Sequence, residues 1–196
     1  VMQSKSVEFA KKFGVVFEVR SSLNDNPGTT VKESSPDMEN VVDRGVSLDK
    51  NQAKVTLLNV PDRPGVAASI FQPLSAAAVN VDMIVQNVSH EDGLPVTDLS
   101  FTVEKTDLTK AQKVLNDLQQ SIGFAEMTTD ESICKLSVVG VGMKSHSGVA
   151  ARLFEVLSTE KVNILMISTS EIKISVVIEC SKGEAALKST HAAFVG

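Results

Sequence analysis

The chain has 196 residues, 42% of them hydrophobic and 22% charged, with a formal net charge of −5; that length allows one domain or two small ones whose cores need no disulfide staples. An acidic balance, with pI ≈ 5.2, and the lack of any Trp or Tyr exclude the basic, aromatic-rich surfaces of nucleic-acid binders. No apolar run approaches the roughly 18 residues of a membrane span, and the first residues do not read as a signal peptide. Two cysteines, Cys134 and Cys180, make no secreted disulfide framework, so a cytoplasmic setting is expected.

Val1 opens inside a helical pattern with no initiator Met, so the chain is expected to be a piece of something longer. Residues 6–14 place apolar side chains at helical spacing and end on Gly14, a helix-stop residue. Residues 15–20 (Val-Val-Phe-Glu-Val-Arg) read as a strand and residues 24–28 (Asn-Asp-Asn-Pro-Gly) as a turn. Residues 32–44 are polar and acidic, contain Pro36 and lack a period, which predicts a linker or mobile loop.

The rest is organised by an internal repeat. At an offset of 83, block 65–84 meets block 148–167 with eleven identities in twenty positions, among them Gly65/Gly148, Val66/Val149, Ala67/Ala150, Asn80/Asn163 and Met83/Met166. Ordinary residue usage gives about one or two. Each unit reads strand, glycine-bearing loop, helix, strand, strand, helix. The first has strands near 54–60, 80–88 and 96–104, helices near 65–78 and 107–121, and a short last strand near 124–129. The second has strands near 133–140, 162–169 and 172–179 and helices near 148–160 and 182–193. The order βαββαβ is the ferredoxin-like unit, so the expected fold is α+β, with two such units. The second lacks its last strand, which leaves an open edge. Residues 45–48 (Gly-Val-Ser-Leu) are available to fill it, which inserts the first unit inside the second. The expected divisions are 1–33, a linker at 34–44, a completing strand at 45–52, the first unit at 53–130 and the second at 131–196.

The loop 61–67 (Pro-Asp-Arg-Pro-Gly-Val-Ala) joins a strand to a helix. Pro64 suits a first helical turn and Gly65 admits close approach. The N–H groups of Val66 and Ala67, with the positive end of the helix, make a site for a carboxylate or phosphate. A simple tight loop explains the same residues, and lone motifs of this kind are mostly false positives. Recurrence of the geometry in 142–148 (Gly-Met-Lys-Ser-His-Ser-Gly) favours a ligand. In 80–87 (Asn-Val-Asp-Met-Ile-Val-Gln-Asn), Asn80, Asp82 and Gln86 alternate onto one strand face. That face is either simply half-exposed or a ligand face on which Asp82 holds an ammonium group. At the repeat offset Asp82 becomes Leu165, so two related but unequal sites are expected. No catalytic constellation is identifiable. Gly140-Val141-Gly142 fits no dinucleotide fingerprint, and His146 beside Ser145 and Ser147 lacks a third orienting group. His90, His146, His191, Cys134 and Cys180 lack metal-ligand spacing. Both cysteines fall in strand patterns and read as buried small hydrophobes.

Residues 55–65 (Val-Thr-Leu-Leu-Asn-Val-Pro-Asp-Arg-Pro-Gly) resemble the opening of an ACT domain, an amino-acid-sensing module. Together with 80–87, 141–148 (Val-Gly-Met-Lys-Ser-His-Ser-Gly) and 167–174 (Ile-Ser-Thr-Ser-Glu-Ile-Lys-Ile), residues 45–194 resemble the tandem regulatory region of the aspartokinase family. Residues 1–33 resemble the last helix and strand of its catalytic domain. The resemblance implies a parent enzyme that phosphorylates the β-carboxylate of L-aspartate with ATP and Mg²⁺, both held upstream of Val1. This chain would then have no kinase activity, cofactor or metal of its own. It would be a separate subunit or, given 1–33, an excised fragment.

The resemblance also implies L-lysine and/or L-threonine as feedback effectors, held between an ACT unit of one chain and one of another in a homodimer. On matching positions, Asp62, Gly65, Val66, Ala67, Asn80, Val81, Asp82 and Gln86 form one half of the pocket; Gly148, Val149, Asn163 and Ile164 form the other. Backbone N–H groups at the helix start would take the α-carboxylate, and Asp82 with strand carbonyls the α-ammonium. Asp62 would face a lysine ammonium or, with Asn163, a threonine hydroxyl. Residues 97–100 and 168–171 resemble stretches that tune feedback, and Val66 stands where relatives often carry a polar or acidic residue. The effector would shift the population toward a dimer that holds the kinase domain inactive. The alternative is an ACT pair that dimerises without an effector; the set Asp62, Asn80, Asp82 and Gln86 speaks against it.

Overall fold

A computed structural model describes residues 3–32, 45–91, 94–140 and 148–195. The expected linker at 34–44, and the loop 142–147 with His146, fall outside these residues. The chain forms two units, residues 1–40 and 41–196. The first holds α1 (Ser4–Lys12) and an antiparallel ribbon of β1 (Phe17–Val19) and β2 (Thr29–Val31). Gly14 closes α1 at φ +62. The sequence carries no alternation that signals β2. The ribbon is tied by Glu18, whose carboxylate accepts from the Gly28 N–H at 3.0 Å and from Arg20 Nε at 2.8 Å. Several apolar residues of this unit, Phe9, Phe13, Val15 and Val16 among them, are exposed.

The second unit contains two four-stranded antiparallel sheets. The first sheet is built from β4 (Gln52–Pro61), α2 (Val66–Ala76), β5 (Val81–Glu91), β6 (Leu94–Glu104), α3 (Leu108–Ile122) and β7 (Glu126–Asp130), with spatial order β5-β6-β4-β7. The second contains β8 (Ile133–Val139), α4 (Val149–Thr159), β9 (Ile164–Thr169), β10 (Lys173–Glu179) and α5 (Gly183–Phe194). Its fourth strand is β3 (Gly45–Asp49), which precedes the whole first sheet in sequence and pairs with β8 from Gly45↔Val139 to Asp49↔Lys135. The order β9-β10-β8-β3 repeats that of the first sheet. The fold is thus two ferredoxin-like βαββαβ units, the first inserted in the second.

The repeat is visible atom by atom. Gly65 and Gly148 precede their helices at φ +90 and +112, and Ala78 and Lys161 follow them at φ +53 and +55. The bond from Val79 N–H to the Leu74 carbonyl is matched by that from Val162 to Leu157, both 2.9 Å. A hydroxyl pair, Thr56 with Ser100, recurs as Ser137 with Ser175, both 2.8 Å. Each sheet buries one face under its two helices. Val55, Leu57, Phe101 and Val103 pack with Ile70, Leu74, Ala111 and Leu115 in the first. Leu136, Val138, Val176 and Ile178 pack with Leu153, Leu157, Ala186 and Phe194 in the second. This is the two-layer solution for a sheet with one apolar face. A third, smaller core of Met83, Ile133, Met166 and Val177, flanked by Val85, joins the sheets on their helix-free sides.

The placement of Cys180 differs from the sequence reading. Cys134 is buried within β8, but Cys180 is half-buried in a 3-10 turn, Cys180–Lys182, after β10 has ended. Its N–H meets the Ser132 carbonyl at 2.7 Å, the last rung in line with the β8–β10 register before the chain turns. No described helix is long and apolar enough to cross a membrane.

Candidate functional site

The first half of the expected site is the turn from β4 into α2. Pro61 closes β4, and the Asp62 N–H bonds the Pro95 carbonyl at 3.1 Å, which fixes the loop against β6. Gly65 is the cap residue of α2, and no side chain caps that helix. The residues Arg63–Gly65 before it are exposed, and the first turn of α2 carries no acidic residue to offset the positive end of the helix. Two expectations are refined here. The Val66 N–H is taken by the Arg63 carbonyl at 3.2 Å, and the Val66 side chain is buried in the core. Val66 therefore offers a ligand little, and the exposed Ala67 is the first position free of both ties. The second half repeats this. Among the described residues no side chain caps α4 at Gly148; Val149 is buried, Asn163 is exposed and Ile164 is half-buried.

Strand β5 departs from simple alternation. Val81 pairs with Val103 and Ile84 with Phe101, so Asp82 and Met83 together stand opposite Thr102. The Met83 N–H donates to Thr102 Oγ1 at 3.2 Å. Such an extra residue bends a strand and re-aims its side chains. Gln86 stands opposite Leu99, on the helix-bearing side. Asp82 instead forms an ion pair with Lys135 of β8, on the second sheet. Asp82 and Gln86 do not share a face as strict alternation predicts, and the extra residue is the reason. The equivalent irregularity lies in β9 between Ile164 and Met166, at Leu165, the repeat counterpart of Asp82. Strands β5 and β9 touch within one chain, with Met83 and Met166 in the core between the sheets.

Two residues beside the site carry contacts that local sequence did not disclose. Asp98 accepts the Asn59 N–H at 3.0 Å, holding the irregular end of β4 that leads into the loop. Thr97 is buried, and its hydroxyl donates to the Asn87 carbonyl at 2.9 Å. The signal available was only that Thr97 and Asp98 fall in the stretch resembling a feedback-tuning segment.

Elsewhere, burial and the neighbouring Cys180 push the Cys134 thiol up to about 12. The exposed pair Lys50–Glu184 raises the lysine and lowers the carboxyl. A concavity of about 320 Å³ lies between α1 and the ribbon, lined by apolar residues such as Val7, Ala10, Val16 and Phe17 with Lys11 and Lys32. It holds none of the expected site residues. Among the described residues no cluster of three or more His, Cys, Asp or Glu could hold a metal ion.

The ACT-domain family model matches residues 58–119 and 136–194, one match on each sheet. An aspartokinase of Pseudomonas aeruginosa is 47% identical over 196 residues, which is 99% of this chain and 47% of that protein. Among solved structures, the regulatory subunit of aspartate kinase from Thermus thermophilus, in ligand-free form, is 39% identical with a TM-score of 0.73, covering 78% of this chain and 99% of that one. A structure of aspartokinase α and β subunits is 45% identical with a TM-score of 0.72, covering 79% of this chain and 99% of that one. The chain spans about half the length of the curated relatives it matches.

Proposed function

Because the chain belongs to the ACT-domain family, as the tandem regulatory region of an aspartokinase, we propose that it is the amino-acid sensor of that enzyme. L-lysine and/or L-threonine would bind between units of two chains in a homodimer. The α-carboxylate would sit at the uncapped start of α2, near Gly65 and Ala67, and the α-ammonium among the polar groups and carbonyls at Asn80–Asp82. Asp62, Gln86 and, from the other unit, Gly148, Asn163 and Ile164 would complete the pocket. Occupancy would favour one dimer arrangement, in which a kinase domain that phosphorylates aspartate with ATP and Mg²⁺ is held inactive. A coupling of about 1–3 kcal/mol suffices for such feedback. The exposed apolar residues of the 1–40 unit are apt to pack against the remainder of that domain.

The observation that carries this reading is the pair of helix starts, each opened by a glycine at positive φ and, among the described residues, without a side-chain cap. A helix start with no protein partner is suited to a small anion. The test is a thermal melt with L-lysine, L-threonine, both, and L-methionine, L-isoleucine and D-lysine as controls, followed by circular dichroism. The expected outcome is a stereospecific rise with lysine or threonine, since a ligand at 100 times its Kd adds about 2.7 kcal/mol. A more than additive rise with both would mean concerted action. No shift with any of them would favour the second reading, association without an effector. That reading rests on the exposed apolar residues Ile84, Val88, Leu165 and Ile167 of β5 and β9.

A further inference from the structure

The contact between Lys135 and Asp82 differs from the other ion pairs of the described residues. Arg20–Glu18 and Lys110–Asp107 join near neighbours in sequence, and Lys50–Glu184 is exposed at both ends. The Lys135 side chain is only 14% exposed, and its Nζ serves Asp82 of β5 and, at 3.8 Å, Asp49 of β3. One cation thus ties the edge strand of the first sheet to two strands of the second. Asp82 sits on the extra residue of β5, directly after Asn80 and Val81 and directly before Met83, which fills the core between the sheets.

The internal repeat supplies a control. Strand β9 carries an extra residue at the equivalent place, and Met166 enters the same core. The equivalent of Asp82 there is Leu165, which has no charge to offer Lys54, the counterpart of Lys135 one position before the matching Val55 and Leu136. An extra residue and a methionine plug therefore need no ion pair to form. What the acid at 82 adds is a tie from the extra residue to Lys135 of the second sheet, which Leu165 cannot make.

We infer that Lys135 is a positioning residue of the amino-acid site. It holds Asp82 toward the second sheet and so sets the backbone of Asn80 and Val81, leaving a ligand ammonium to the strand carbonyls and not to the Asp82 carboxylate. This rests on the sensor reading above and assigns Asp82 an indirect part in it.

The test is calorimetric titration of the chain with L-lysine and with L-threonine, for the parent and for Lys135→Met, Asp82→Asn, Lys135→Arg and the reversed pair Lys135→Glu with Asp82→Lys. Circular dichroism confirms folding of each. Lys135→Met and Asp82→Asn should weaken binding by similar factors, roughly fivefold or more, and the two combined should cost no more than either alone. Lys135→Arg should bind nearly as the parent does, and the reversed pair should recover most of the affinity. The inference is overturned if Lys135→Met binds like the parent while Asp82→Asn does not, or if the reversed pair binds no better than the weaker single variant. Asp82 would then touch the ligand itself. If the parent binds neither amino acid, the sensor reading fails and the positioning role with it. A double-mutant cycle on the melting temperatures of the same variants then measures the ion pair as a plain link between sheets.

Discussion

Gly65, Gly148 and Gly183 occupy three helix starts for two different reasons. At Gly65 and Gly148 an added Cβ meets nothing within 4 Å, but φ is +90 and +112. At Gly183 the backbone is ordinary helix, with φ −57, yet a Cβ would lie 2.9 Å from Cys134 Sγ and 3.2 Å from Leu48 Cδ2. Alanine at 65 or 148 should cost about 1–2 kcal/mol through backbone strain. Alanine at 183 should cost about 1–3 kcal/mol through overpacking. Denaturant titration separates the causes: adding Cys134→Ala should relieve Gly183→Ala and leave Gly65→Ala unrelieved. Cys134 makes a second prediction. Burial disfavours its thiolate and Cys180 adds to the effect, so its folded value stands at about 12 against an ordinary 9.0. A group raised on folding stabilises below its unfolded value, and that contribution is lost as pH climbs through the folded one. Melting temperature should therefore fall from about pH 9 toward 12, and less steeply in Cys134→Ala. The repeat made Gly65 and Gly148 legible from sequence. Gly183 and Lys135 were not, because their meaning lies in contacts with residues far away in the chain.

At the scale of elements, β3 matters most. It completes the second sheet by covering the edge of β8, and Leu48 lies over α5 beside Gly183. Leu48→Ala should cost about 2 kcal/mol, the low end for such truncations because the side chain is half-buried. Hydrogen exchange should show the loss first at the amides of β8 and β3, and an unchanged β8 would argue against the role given to β3. The order of strands and helices was legible because both periods are strong and each unit repeats the other. Residues 45–48 were legible as the missing strand because an unpaired edge demanded one. The irregularities of β5 and β9 were not legible. An extra residue is decided by what the strand packs against, here Met83 and Met166 in the core between sheets, so alternation alone misassigned the face of Asp82.

For the whole molecule, the relevant surface is the apolar rim of the two edge strands. Ile84 is 50% exposed and Val88 61% on β5, and Ile167 is 44% exposed on β9. An exposed apolar edge is a template for association. Light scattering at micromolar concentration should find a dimer for the parent and a monomer for Val88→Lys combined with Ile167→Lys. A parent that elutes as a monomer with and without effector would remove the shared pocket from the proposal. The nesting of one unit inside the other also has a consequence for the order of events during synthesis. Gly45 and its partner Val139 are 94 residues apart, so β3 leaves the ribosome roughly 5–20 s before the strand it must pair with, at about 5–20 residues per second. The inserted unit can fold in that interval. When it does, Lys54 and Asp130 lie side by side, and the long loop between β3 and β8 is reduced to a few residues. Its closure entropy is then already spent. The host should form quickly once its helices follow, and a lesion in the insert should slow the host as well.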